Sequence, residues 1–225
     1  MFKLAYLLFN YAIIGAIISM ELHSKLFSRL DKARLMLAYG LVSLPYIVWD
    51  YWAVIEGHWS FYWKYVSGLY IGRLAIEEII FFVSVPLVML LVFGIVSQEF
   101  NKQLVNKKLA RTVIILLGLL GAWLVLGWVD NGYTSAAGLA LIICVSMLLA
   151  EGRLIYTKSF WVFQIISIVL FFAANSVLTS LPIIIYGDQA IIGTRIGTIP
   201  FEDFLYNFAL INSFLVVYFS GQYKV

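Results

Sequence analysis

Long apolar runs separated by short polar or charged connections dominate this chain. Runs of roughly 18–21 residues are long enough, as helices, to cross a hydrocarbon core about 30 Å thick. They lie near 2–20, 35–54, 76–96, 112–129, 133–150, 160–180 and 201–220. Backbone groups in lipid must be satisfied within each span, so the runs predict an all-α polytopic membrane protein with seven transmembrane helices. The first run lacks a small-residue cleavage site, and its positive charges (Lys25, Arg29, Lys32, Arg34) follow it. It is therefore read as a retained span and not as a signal peptide.

The apolar pattern is broken in the same way twice. Residues 72–81 (Gly-Arg-Leu-Ala-Ile-Glu-Glu-Ile-Ile-Phe) and 197–206 (Gly-Thr-Ile-Pro-Phe-Glu-Asp-Phe-Leu-Tyr) each set two adjacent carboxylates just inside a strongly apolar segment. At a constant offset of 125 residues and without a gap, Gly68 falls on Gly193, Ile71 on Ile196, Gly72 on Gly197, Glu77 on Glu202 and Glu78 on Asp203. Phe81 meets Tyr206, and upstream Asp50 meets Asn175. This register predicts two three-helix repeats, about 1–96 and 133–220, joined by a linker helix at about 112–129, within one membrane domain. An odd number of spans plus a connecting helix gives both repeats the same orientation, so they are parallel, related by an axis along the membrane normal.

Composition supports the membrane reading: 63% of the 225 residues are hydrophobic and only 12% charged, far from the balance of a soluble domain. Of the basic residues, four lie in 21–34, four in 97–111, two in 151–159 and one at Lys224. The opposite connections hold Lys3, Lys64, Arg73 and Arg195. This asymmetry predicts an N-terminus outside and a C-terminus in the cytoplasm of a cell membrane. It leaves no basic footprint for nucleic acid. No Gly-rich phosphate loop, dinucleotide fingerprint or zinc spacing is present, so neither cofactor nor metal is expected. Cys144 is the single cysteine, and His23 and His58 are expected in loops facing water.

Acids at the edge of a span are costly and mark function by default. Adjacent helical residues point about 100° apart, so one acid of each pair can face a cavity while its neighbour holds it. Burial favours the neutral acid, and a neutral acid beside a base is an arrangement for proton transfer. Glu77, Glu78, Glu202 and Asp203 are the candidate catalytic residues. Phe81, Phe82, Phe201, Phe204, Tyr206, Asn207 and Asp50 are the candidates to line the site, with Arg73 and Arg195 as charge partners for the acids. Pro86 is expected to kink its helix beside the first pair. The aromatic-rich connection 55–75 and its counterpart 181–200 form either an interfacial aromatic belt or re-entrant segments closing a cavity.

Residues 193–208 and 76–82 resemble the two half-motifs of the integral-membrane lycopene cyclases, the carotenoid β-cyclase type found as heterodimers of short chains or as a fused chain. Ala75 stands where the family pattern has proline. The resemblance covers nearly the whole length and implies both halves joined in one chain, without the phytoene synthase fused to fungal relatives. It implies a cofactor-free isomerisation of lycopene or a related linear carotenoid. A carboxylic acid protonates the ψ end, a carbocation closes the ring, and a base leaves a β-ionone ring. Partners would be the substrate, membrane lipid, and possible carotenoid-pathway enzymes or a second copy. Glu77→Gln and Glu202→Gln are each expected to cripple activity. The competing reading is a proton-coupled small membrane transporter using the same carboxylates, which requires a polar path through the spans. A retinal receptor would need a lysine in the last span, and a prenyltransferase aspartate-rich diphosphate motifs; neither is present.

Overall fold

A computed structural model describes residues 4–100 and 103–220. Phe2 and Lys3 at the start, Lys102 in the 97–111 connection, and Lys224 in the tail lie outside the described residues. The helices are α1 (Ala5–Ser24), α2 (Lys32–Ala38), α3 (Leu44–Ile55), α4 (Ile76–Phe100), α5 (Lys107–Gly127), α6 (Gly132–Glu151), α7 (Lys158–Ser180) and α8 (Phe201–Phe219). A π-helical segment, Tyr39–Ser43, joins α2 to α3, so these two form one interrupted rod where a single span near 35–54 was expected. Such π insertions are frequent at functional sites. Among the described residues five helices (α1, α4, α5, α6 and α7) are long and apolar enough to cross a membrane.

Helix ends differ from the apolar runs where polar residues extend a helix past its greasy stretch. Asn106 accepts hydrogen bonds from the Lys108 and Leu109 amides and starts α5 before the expected 112. An N-cap of this kind satisfies amides that the helix itself leaves free. Pro86 sits buried inside an unbroken α4. The Tyr39 hydroxyl donates to the Val83 carbonyl at 2.9 Å, next to the ladder position that proline disrupts.

The connections hold short β-strands that the apolar pattern did not announce. The strands are β1 (Trp59–Phe61), β2 (Tyr70–Ile71), β3 (Leu74–Ala75), β4 (Ile184–Tyr186), β5 (Arg195–Ile196) and β6 (Ile199–Pro200). Hairpins β2–β3 and β5–β6 each lead directly into an acid-bearing helix, α4 or α8. Strand β1 pairs antiparallel with β4, Ser60 opposite Ile185, tying the two long connections together. His58, expected to face water, is buried instead, its ring edge-on to Trp52 at 5.2 Å.

Helix α1 packs on α4 and α6 on α8; across the molecule α4 packs on α7, and α8 on α2 and the π segment. The main core gathers Phe82, Phe93, Phe160, Phe163 and Phe214. Between helices in lipid, close packing and buried hydrogen bonds carry much of the association. Gln164 and Asn212 exchange amide hydrogen bonds at 2.8 and 3.1 Å between α7 and α8. Helix α5 lies against α6, where a Cβ on Gly121 would come within 2.8 Å of the Gly138 carbonyl oxygen.

Candidate active site

Each acid pair occupies the first turn of its helix, immediately after its hairpin. The two surroundings share their backbone geometry at the 125-residue offset. Gly68 and Gly193 have φ of 86° and 88°, and Gly72 and Gly197 have 63° and 64°. The Ile76 amide donates to the Leu69 carbonyl, and the Phe201 amide to the Thr194 carbonyl, both at 2.9 Å. The first acid of each pair turns back onto its connection: Glu77 Oε1 accepts the Ser67 amide at 2.5 Å, and Glu202 Oε1 the Ile192 amide at 2.8 Å. Thr134 also donates to Glu202 Oε1 at 2.6 Å.

The second acid of each pair faces inward. Glu78 and Asp203, from α4 and α8, line one cavity of about 70 Å³ together with Asp50 of α3. All three are buried. Glu78 Oε2 accepts from the Tyr6 hydroxyl at 2.5 Å. Asp203 accepts three bonds: from Tyr133 at 2.6 Å, Asn175 at 2.7 Å and Tyr186 at 2.6 Å. Asp50 Oδ2 and the Tyr206 hydroxyl are buried without a hydrogen-bond partner among the described residues. Burial, and then the adjacent Asp203 carboxyl, push the Tyr186 phenol well above its ordinary value, so it remains a donor.

Of the expected lining residues, Asp50, Phe81, Phe82, Tyr206 and Asn207 are in the cavity wall. Phe201 and Phe204 are not in that wall; Phe204 packs edge-on against Phe171 at 4.9 Å. Arg195 donates to the Thr198 carbonyl and lies over the Tyr186 ring instead of pairing with an acid. Among the described residues no ion pair reaches Glu77, Glu78, Glu202 or Asp203. Sequence reading missed Tyr6, Tyr133 and Tyr186. Tyr6 and Tyr133 do correspond, since their amides donate to the Tyr65 and Ala190 carbonyls, 125 residues apart. They themselves are separated by a longer interval, which a gap-free register skips. The connections close the cavity, through Trp59 of β1 and Ile184 and Tyr186 of β4.

Buried carboxyls and phenols in an apolar helical bundle define a membrane protein with a secluded acid site. A lycopene cyclase family model matches residues 3–96 and 130–220, and the chain belongs to that family. Membership supports a carotenoid cyclase function and implies a linear carotenoid as substrate. No match was found among curated proteins or among solved structures.

Proposed function

We propose that this protein closes the ψ end of a linear carotenoid such as lycopene to a β-ionone ring by acid/base catalysis alone. The observation that carries the reading is the meeting of Glu78 and Asp203, 125 residues apart in sequence, in one buried cavity walled by aromatic rings. The scaffold is a seven-span bundle of two parallel repeats, α1 to α4 and α6 to α8, with α5 as linker, the N-terminus outside and the C-terminus cytoplasmic. The matched glycine conformations and hairpins support the duplication.

In the reaction one proton enters and one leaves, so no oxidant is consumed. A carboxylic acid protonates the terminal double bond of the polyene, leaving a tertiary cation. The next trisubstituted double bond attacks that cation and closes the ring, moving the charge to the adjoining carbon. A carboxylate then removes a ring proton to restore a double bond. Asp203, held in position by three donors, is assigned the part of the base. Glu78, with one donor, and Asp50, with Oδ2 unpartnered, suit the acid side. Phe81, Phe82, Trp59 and Tyr206 in the wall offer π faces to the cationic intermediates. Glu77 and Glu202 act indirectly, by holding the connections that close the cavity. A proton-coupled transporter would need a polar path, whereas the grooves flanking the cavity are almost wholly apolar.

The test is production in cells that accumulate lycopene, followed by conversion in isolated membranes in deuterated water. A cyclised carotenoid retaining one deuterium per ring is expected. Unchanged lycopene, with full-length protein in the membrane, would overturn the reading.

A further inference from the structure

Two large apolar grooves flank the acid cavity, of about 400 and 390 Å³, within the range of small-molecule sites. The first runs between the α2–α3 rod, α6 and α8; the second runs between α1, α4 and α7. Their walls correspond across the two halves of the chain. Val42, Tyr46 and Trp49 stand where the second groove has Ser167, Phe171 and Ala174, and Tyr206 and Val217 stand where it has Phe81 and Val92. On α6 and α1, Ile143 and Met147 stand where the second groove has Ala16 and Met20.

The grooves differ where they meet the acids. The α1–α4–α7 groove shares Phe81, Phe171, Asn175, Leu178 and Asn207 with the acid cavity, whereas its counterpart shares Tyr206 alone. At the counterpart's inner end the Trp49 indole packs on Tyr206 at 5.5 Å and on Trp59 at 5.2 Å. Ala174, in the matching position, carries no ring to do the same. In α1, α4 and α7 alike, the lining residues extend over a helical rise of about 16 Å, at 1.5 Å per residue. The cavity of about 70 Å³ takes a chain terminus, not a whole polyene.

We propose that the α1–α4–α7 groove holds the unreacted polyene arm of the substrate while its end lies among the acids, and that Trp49 shuts the matching groove, leaving one productive way in. This rests on the cyclase reading. A groove that is apolar, about 16 Å long and shares five wall residues with the acid cavity suits a long rigid hydrocarbon delivered from lipid.

The experiment fills one groove at a time at lipid-facing positions remote from the acids, Ala16 on α1 and Ile143 on α6. Cyclisation of lycopene is measured in membranes carrying matched amounts of wild type, Ala16→Trp or Ile143→Trp, with thermal unfolding in detergent as a folding check. Wild type must cyclise lycopene, and failure there counts against the cyclase reading itself. With wild type active, Ala16→Trp should slow cyclisation at least ten-fold with unchanged unfolding, and Ile143→Trp should leave it within two-fold. An unaffected Ala16→Trp, as expected of a groove that only holds lipid acyl chains, would overturn the proposal. So would equal losses in both variants.

Discussion

Neighbouring acids in these helices take separate tasks because consecutive helical residues diverge by about 100°. Glu78 and Asp203 therefore line the cavity while Glu77 and Glu202 turn to the amides of Ser67 and Ile192. Removing the ionisable function from an inward acid, by Glu78→Gln or Asp203→Asn, should lower turnover by on the order of 10²–10⁴-fold, the usual share of general acid–base catalysis. Glu77→Gln keeps an oxygen for the Ser67 amide. Because that bond, worth about 1 kcal/mol, is kept, stability should change by no more than this, and turnover should fall by less than ten-fold, a smaller loss than the sequence alone leads one to expect. Turnover in membranes, alongside unfolding in detergent, separates these cases; a Glu77→Gln loss as deep as that of Glu78→Gln would defeat the division. The acid doublets were visible in the sequence as polar breaks in apolar runs. Their facing was not, because adjacency carries no information about which neighbour a fold turns inward. For the same reason Phe204, next to Asp203, looked like a wall residue, whereas it is absent from the wall and packs against the wall residue Phe171.

Hairpins decide where each acid pair begins, and their turns depend on glycine. Gly72 and Gly197 sit at φ of 63° and 64°, where a Cβ meets the following carbonyl at a cost of about 1–2 kcal/mol. Around Gly197 nothing lies within 4 Å of an added Cβ, so Gly197→Ala should lose only that backbone contribution. At Gly72 the added atom also comes within 2.6 Å of the Tyr51 ring. Gly72→Ala should thus lower the unfolding temperature further than Gly197→Ala, with equal shifts counting against the hairpin geometry. Among the described residues helical segments overlap each apolar run, five of them long and apolar enough to cross a membrane, since run length is a strong signal. Strands of two or three residues are too short to show alternation, and nothing in Tyr39–Ser43 distinguishes a π turn from ordinary helix. Paired glycines at a fixed spacing were the one legible trace of the hairpins.

At the scale of the whole molecule the cavity is a joint product: Asp50, Glu78 and Tyr6 come from the first half, and Tyr133, Asn175, Tyr186 and Asp203 from the second. Family matching falls in two blocks that leave out the whole of α5. The halves are joined by the β1–β4 pairing and by the packing of α4 on α7 and α8 on the α2–α3 rod. None of these contacts requires a covalent link between α4 and α5, a connection that itself pairs with the one between α6 and α7, Leu104 opposite Thr157. The link adds a high effective concentration of the halves, of millimolar order for a short tether. Dividing the chain between α4 and α5 should therefore give two pieces that are each inactive and that together restore cyclisation, with yield rising as both are expressed more strongly. The readout is cyclised carotenoid in lycopene-accumulating cells carrying either piece or both. Activity in one piece alone would mean that a single acid pair suffices, and the joint cavity would then lose its claim to be the catalytic centre. Silence from the co-expressed pair, with both pieces present in the membrane, would instead place the decisive contribution in the tether. The outcome turns on interfaces that bury Leu210 and Phe214 of α8 and Phe93 of α4 in one core, an extent of packing that favours reassembly.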